Sequence, residues 1–264
     1  MAQTITVTYH VFPSDTFAEN AAQYYAAKMA EAGRKRSIAR VAFSGGTTPK
    51  AIFELLADPS REYRAEVPWE KLEFFFVDER AVGPTDPESN YGMAKAALLD
   101  KVPLERSQIF RIEGELEPEE AAARYESAIR AAFRLEGAEL PKFDIVSLGM
   151  GDDGHTASLF PHTAALHEAG RIAVGNRVPQ KDTWRITLTR PVINQGQDVS
   201  FLIKGGAKTE VLRRVLLGEY DPETLPSQLI CPANGRLTLL LDTEAAALLP
   251  KPQAAGTGTL EISR

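Results

Sequence analysis

The segment Gly149-Met150-Gly151-Asp152-Asp153-Gly154-His155 places an imidazole beside two carboxylates on a glycine-rich stretch. Imidazole is the side chain whose ordinary titration falls nearest neutral pH, so its neutral form can take a proton from water there. A carboxylate on the other ring nitrogen fixes the tautomer that presents the accepting nitrogen. The pattern points to His155 as a general base with Asp153 orienting it; the plainer reading is a loop histidine with a capping aspartate. The stretch also spells G-x-G-x-x-G, but a dinucleotide fingerprint needs a helix opening at its third glycine and bare backbone against the pyrophosphate. Asp152 and Asp153 would face that phosphate and Pro161 cuts short a following helix, which excludes the nucleotide reading.

Three further stretches carry charge or backbone suited to an anion. Ser44-Gly45-Gly46-Thr47-Thr48-Pro49 has two glycines that let backbone N–H groups approach a ligand, a threonine to cap a helix, and a proline for its first turn. Free N–H groups at a helix start favour phosphate. In Asp78-Glu79-Arg80, the arginine suits a bidentate phosphate clamp and Asp78 suits sugar hydroxyls or a cation; an ion pair at the sheet edge is the alternative. Lys204-Gly205-Gly206-Ala207-Lys208-Thr209 lacks the first glycine of a P-loop and has Ala207 in place of the second, so ATP hydrolysis is not expected. Lys208 can still supply charge to a phosphate, unless it is simply solvated. His162 and His167 read as surface residues and His10 as structural.

These stretches need elements to position them. Apolar runs at Thr4–Tyr9, Ala39–Phe43, Leu72–Val77, Lys142–Leu148, Arg185–Thr189, Val199–Ile203 and Leu237–Leu241 predict strands. Helical patterns follow Ser14 and Asp15 (to about Gly33), follow Pro49 and Pro118, and span roughly Asn90–Leu99 and Lys208–Leu217. Strands alternating with helices predict an α/β fold: a doubly wound, mostly parallel sheet with helices on both faces. Residues 1–250 read as one domain and residues 251–264 as a flexible tail. Ligands of such sheets bind beyond the carboxyl ends of the strands, where all four polar stretches fall.

Composition narrows the classes. The 264 residues are 44% hydrophobic and 25% charged, with 30 basic against 36 acidic side chains and a net charge of −6. This suits a soluble globular protein and gives no support for nucleic-acid binding, which needs a basic face. No stretch has the run of apolar residues a membrane helix needs, and the first residues lack a secretory signal, so a cytoplasmic protein with no membrane contact is expected. The single cysteine, Cys231, excludes an intrachain disulfide and a Cys-rich metal site.

Taken together, the motifs resemble the 6-phosphogluconolactonase family of the pentose phosphate pathway. The resemblance rests on Phe43–Pro49, Val77–Arg80 with Ser89-Asn90, the long segment Leu148–Pro161, Arg185–Thr189 and the Gly206/Lys208 turn, in that order along the chain. Thr47 stands where the family usually has serine; the hydroxyl is kept. The resemblance implies a fold shared with glucosamine-6-phosphate deaminases and ribose-5-phosphate isomerases, and hydrolysis of 6-phospho-D-glucono-1,5-lactone to 6-phosphogluconate. It implies His155 as the base with Asp153 orienting it, and Ser44, Gly45, Gly46, Thr47, Arg80 and Lys208 as the phosphate site. Asp78, Asn90, Gly151 and Arg185 are secondary candidates for contacts to the sugar or that site. It implies a phosphorylated sugar lactone as partner, with no metal, no organic cofactor and no obligate protein partner. A deaminase or isomerase-like enzyme is the nearest alternative, but deaminases resemble Asp-Glu-Tyr at Asp78-Glu79-Arg80 and Asn-Glu-Pro after the histidine. A non-catalytic sugar-phosphate sensor is the other; such modules usually carry a DNA-binding helix pair, for which Met1 to Phe12 leaves no room.

Overall fold

The computed structural model describes residues 4–234, 236–252 and 256–264. Its order begins β1 (Thr4–Phe12), α1 (Phe17–Lys35), β2 (Ala39–Phe43), α2 (Thr47–Ala57), α3 (Glu62–Glu66), β3 (Leu72–Phe76), β4 (Asp78–Arg80) and α4 (Asn90–Ala94). It continues with β5 (Ile109–Phe110), α5 (Pro118–Phe133), β6 (Ile145–Gly149), β7 (Ala173–Val178), β8 (Thr183–Leu188) and α6 (Arg190–Asn194). β9 (Asp198–Ile203), α7 (Thr209–Leu217), β10 (Arg236–Asp242) and β11 (Thr257–Ser263) complete the chain. Eight strands form one sheet in the order β11-β1-β10-β9-β6-β2-β3-β5, parallel throughout except for β11.

The alternation along β3 explains why helices cover both faces. Phe74 meets Phe53 of α2, with ring centroids 6.0 Å apart, while the next residue, Phe75, meets Phe133 of α5 at 5.8 Å on the other side. Successive side chains of a strand point to opposite faces, so a Phe-Phe-Phe run needs an apolar layer on each. The helices also tie themselves to the sheet by polar tips. The Tyr25 hydroxyl of α1 is hydrogen-bonded to Ser147 of β6 and Ser200 of β9, and the Tyr125 hydroxyl of α5 donates to the Phe76 carbonyl and accepts from its N–H.

From β2 the chain steps outward to β3 and β5; from β6, the neighbour of β2, it steps the opposite way through β9 and β10. This reversal makes the carboxyl ends of β2 and β6 a topological switch point, the usual ligand position in such sheets.

Three expectations change. The strand at Arg185–Thr189 is not in the parallel sheet: β8 pairs antiparallel with β4 and β7 in a separate three-stranded sheet. Val77 joins the two, its N–H donating to the Phe43 carbonyl and its carbonyl accepting from Leu188. Residues 257–263 are not a flexible tail but β11, in full antiparallel register with β1 from Ser263 opposite Thr4 to Thr257 opposite His10. The unpaired edge of β1 offered a ladder that a locally polar sequence could complete, and that pairing is set by tertiary structure, not by hydrophobicity. The first helix starts at Phe17 with Thr16 at its cap position, whereas Ser14 donates to Asp242 and bonds Thr243 instead.

Candidate active site

The loop after β6 is folded around His155. Its Nδ1 is 2.5 Å from Asp153 Oδ1, and the same carboxylate oxygen accepts the His155 backbone N–H at 3.1 Å. With Nδ1 donating to the carboxylate, Nε2 carries the lone pair, and among the described residues it bonds nothing. Gly151 is required by contact: a Cβ there would lie 2.1 Å from Nδ1 and 2.6 Å from the Asp153 carboxylate. The Gly154 carbonyl accepts from both the hydroxyl and the N–H of Ser227, which holds the far side of the loop. Burial alone would raise the Asp153 carboxyl, but the hydrogen bond and charge of His155 outweigh it and bring it down to about 2. The folded value lies below the ordinary 3.8, so the pair stabilises the loop above that pH and loses its effect as pH falls through about 2.

The turn after β2 lies beside that loop, since Ser44 donates its N–H to the Ser147 carbonyl of β6. Helix α2 begins at Thr47 with Gly46 as its cap residue at φ 111°, and no side chain caps it. The cap expected from Thr47 or Thr48 is therefore absent; a glycine conformation makes the turn, leaving the first amides open. Among the described residues, the N–H groups of Gly45, Gly46, Thr47 and Thr48 donate to no protein acceptor. The Ser44 hydroxyl is buried and likewise has no partner in the protein. An unpaired buried hydroxyl costs free energy that a ligand oxygen would recover. Gly45 is fixed by close approach, a Cβ there falling 1.9 Å from Asn90 Oδ1.

Asn90 connects this turn to the charged triplet by donating from Nδ2 to the Asp78 carbonyl at 2.9 Å. Glu79, missed by sequence reasoning, is 1% exposed and accepts hydrogen bonds from the N–H groups of Arg80, Asn90 and Tyr91 and from the Ser89 hydroxyl. Burial pushes its carboxyl up, and those four donors pull it part of the way back. It is thus the anchor that sets α4 against β4. Arg80 and Arg185 are direct partners across β4 and β8. Arg80 donates to the Glu88 carbonyl, and Arg185 to the Thr183 hydroxyl and Trp184 carbonyl, so neither guanidinium is engaged by a carboxylate among the described residues. Burial, then the positive charge of Arg80, lowers the Arg185 value below the ordinary guanidinium range. The two guanidiniums thus lie side by side without an ion pair of their own among the described residues, although the Asp78, Glu88 and Glu79 carboxylates are near enough to act on Arg185.

Asp78 reaches the base loop itself, accepting from the Ser158 hydroxyl at 2.7 Å. His155, Asp153, Gly151, Ser44, Gly45, Asn90, Asp78 and Arg80 therefore belong to one connected network, with Arg185 beside Arg80. Lys208 reaches the base loop by another route, ion-paired to Asp152. Among the described residues no three His, Cys, Asp or Glu side chains group as metal ligands do.

The sequence profile of the glucosamine-6-phosphate isomerases/6-phosphogluconolactonase family matches residues 13–239. The chain belongs to this family. It is 40% identical to the 6-phosphogluconolactonase of Synechocystis over 83% of this chain and 88% of that one. It is 33% identical to that of Aggregatibacter actinomycetemcomitans over 92% of this chain and the whole of the other. Among solved structures, the devB protein superposes with a TM-score of 0.82 at 33% identity, covering 92% of this chain and 100% of that one. A monomeric glucosamine-6-phosphate deaminase, 21% identical with a TM-score of 0.73 over 92% of this chain and 99% of its own, shares the fold.

Proposed function

We infer that this protein is a 6-phosphogluconolactonase: it hydrolyses 6-phospho-D-glucono-1,5-lactone to 6-phosphogluconate, the second step of the oxidative pentose phosphate pathway. His155 is the general base and Asp153 its orienting partner. The substrate phosphate sits on the open amides and hydroxyl of the Ser44–Thr47 turn with Arg80; Arg185 and Lys208 add charge from either side, and Asp78, Asn90 and Gly151 hold the site's shape. The observation that carries this reading is the junction of β2 and β6, where an imidazole fixed through one nitrogen stands beside a turn with unpaired donors.

A δ-lactone is an activated ester, so water suffices as nucleophile. Nε2 of His155 takes a proton from water as its oxygen attacks C1, and the imidazolium is held by the Asp153 carboxylate. The tetrahedral oxyanion is stabilised by nearby donors. As the C1–ring oxygen bond breaks, His155 returns the proton to the departing oxygen, which becomes the product hydroxyl, and the new carboxyl group ionises. The phosphate, remote from C1, supplies binding energy that orients the ring for attack.

The described residues contain no helix long and apolar enough to cross a membrane. A charged sugar phosphate as substrate supports a cytoplasmic location, and the residues proposed for the site all come from this one chain, which supports action without an obligate partner. The test is a coupled assay in which glucose-6-phosphate dehydrogenase generates fresh lactone and acid release is followed. Wild type should accelerate hydrolysis well above the spontaneous rate. His155→Ala should lower kcat by about 10²–10⁴-fold with KM near wild type; turnover close to wild type in this variant would remove the base assignment.

A further inference from the structure

The hydrogen bond to Asp153 holds His155 at one atom and leaves the imidazole free to tilt about that contact. A second element removes the freedom. The Phe160 ring lies flat against the imidazole, with centroids 3.9 Å apart and planes 19° from parallel, and Phe160 is only 4% exposed. The segment that carries Phe160 is itself tightly held. Thr156 donates to the Gly149 carbonyl at 2.8 Å, the Ser158 N–H donates to the Thr187 hydroxyl at 3.2 Å, and Asn176 Nδ2 donates to the Ser158 carbonyl at 2.9 Å. The Ser158 hydroxyl is tied to Asp78, two residues before Arg80. Between them Ala157 sits at φ 51°, a left-handed conformation that a residue with a Cβ keeps only where its surroundings impose it.

We propose that Phe160 is a positioning residue for the reaction: its ring sets the plane of the His155 imidazole, and the Ser158–Asp78 hydrogen bond sets that ring's place relative to the phosphate-binding strand. The base is clamped on three sides, with Asp153 at Nδ1, the Gly151 backbone along the Nδ1–Cε1 edge and Phe160 on one face, and Nε2 remains for the attacking water. An aromatic face supports the imidazolium formed during turnover as well as the neutral base. Through Ser158, the strand that carries Arg80 and the loop that carries the base share one fixed point.

The proposal rests on His155 being the base, and its test therefore reads ring geometry apart from activity. Wild type, Phe160→Leu and Phe160→Tyr are compared by lactone hydrolysis and by the NMR signals of the His155 ring protons. In wild type the stacked ring displaces those signals upfield. Phe160→Leu should abolish the displacement and lower kcat about tenfold with KM within about twofold, as a slight misplacement of a reacting group does. Phe160→Tyr keeps the flat ring and should retain both the displacement and kcat. Wild-type kcat in Phe160→Leu with the displacement gone, or a rise in KM alone, would overturn the proposal. If Phe160→Leu does not fold, Ser158→Ala decides: a fall in kcat with moved His155 signals supports it, and unchanged values of both refute it. Lack of lactone hydrolysis by wild type would instead refute the activity, while the upfield displacement would still report the stack.

Discussion

Two turns of this protein share a Gly-Gly sequence at the end of a parallel strand and have opposite uses of their backbone. Gly45-Gly46 follows β2 and Gly205-Gly206 follows β9; Gly46 at φ 111° and Gly205 at φ 95° make nearly the same bend before a helical segment. At the second turn the protein supplies its own anions. The Gly205 N–H donates to Asp242 Oδ1 at 3.0 Å and the Gly206 N–H to Glu244 Oε2 at 3.1 Å. Asp242, 1% exposed, also accepts from the Ala245 N–H and the Ser14 hydroxyl, so it is a structural acceptor for three segments. At the first turn no carboxylate fills that place among the described residues, and the amides and the Ser44 hydroxyl stay unpaired. A glycine pair thus specifies a backbone shape, and whether that shape holds a ligand depends on which acidic side chains the rest of the chain delivers to it.

The contrast can be broken or sharpened by substitution. The largest effect on binding is expected from Gly45→Ala, whose Cβ would fall 1.9 Å from Asn90 Oδ1 and 2.9 Å from Asn90 Cβ. Either the turn or Asn90 must move, and KM for the phosphorylated lactone should rise by about tenfold or more, a loss of at least about 1.4 kcal/mol. Asp242→Ala should act on stability instead. Leaving the Gly205 and Ala245 amides without an acceptor should lower the free energy of unfolding by about 2–3 kcal/mol, read by denaturant titration, with a smaller change in KM than Gly45→Ala gives. Ser44→Ala removes the hydroxyl proposed to bond the phosphate and should raise KM about fivefold, the equivalent of about 1 kcal/mol, while the free energy of unfolding should hold or rise slightly, because an unpaired buried hydroxyl is lost. Gly206→Ala should do least. Its Cβ would come no closer than 3.7 Å to Glu244 Oε2, so KM and stability should both stay within error of wild type. A large KM effect there, or none in Gly45→Ala, would remove the distinction between the turns.

The same distinction marks what could be read in advance. Strands such as Phe74-Phe75-Phe76 are legible because a strand covered on both faces must be apolar at every position. The His155 and Asp153 pair is legible because its members are two residues apart and their chemistry is local. Asp242 and Glu244 are more than thirty positions from the turn they fill, and nothing in their immediate sequence marks them as acceptors. Glu79 reads as one third of a charged triplet, yet it lies buried under the start of α4 because four donors converge there. The Phe160 segment is visible as part of a motif, while its stack on His155 is a tertiary contact reached past a left-handed turn at Ala157 that the sequence does not mark. The three-stranded sheet was hidden for a similar reason: β7 alternates buried and half-exposed residues around Gly175 and Asn176, and its pairing with β8 is settled by partners, not by composition.

The strand formed by Thr257–Ser263 has a consequence for the solution behaviour of the protein. It occupies the hydrogen-bonding rim of β1 along seven residue pairs, from Thr4 to His10. A bare rim of that length would be a template on which other chains could add strands. Clipping by a protease after Pro250 would therefore cost colloidal stability well before it touched the chemistry, since the junction of β6 and β2 begins three strands inward from β1.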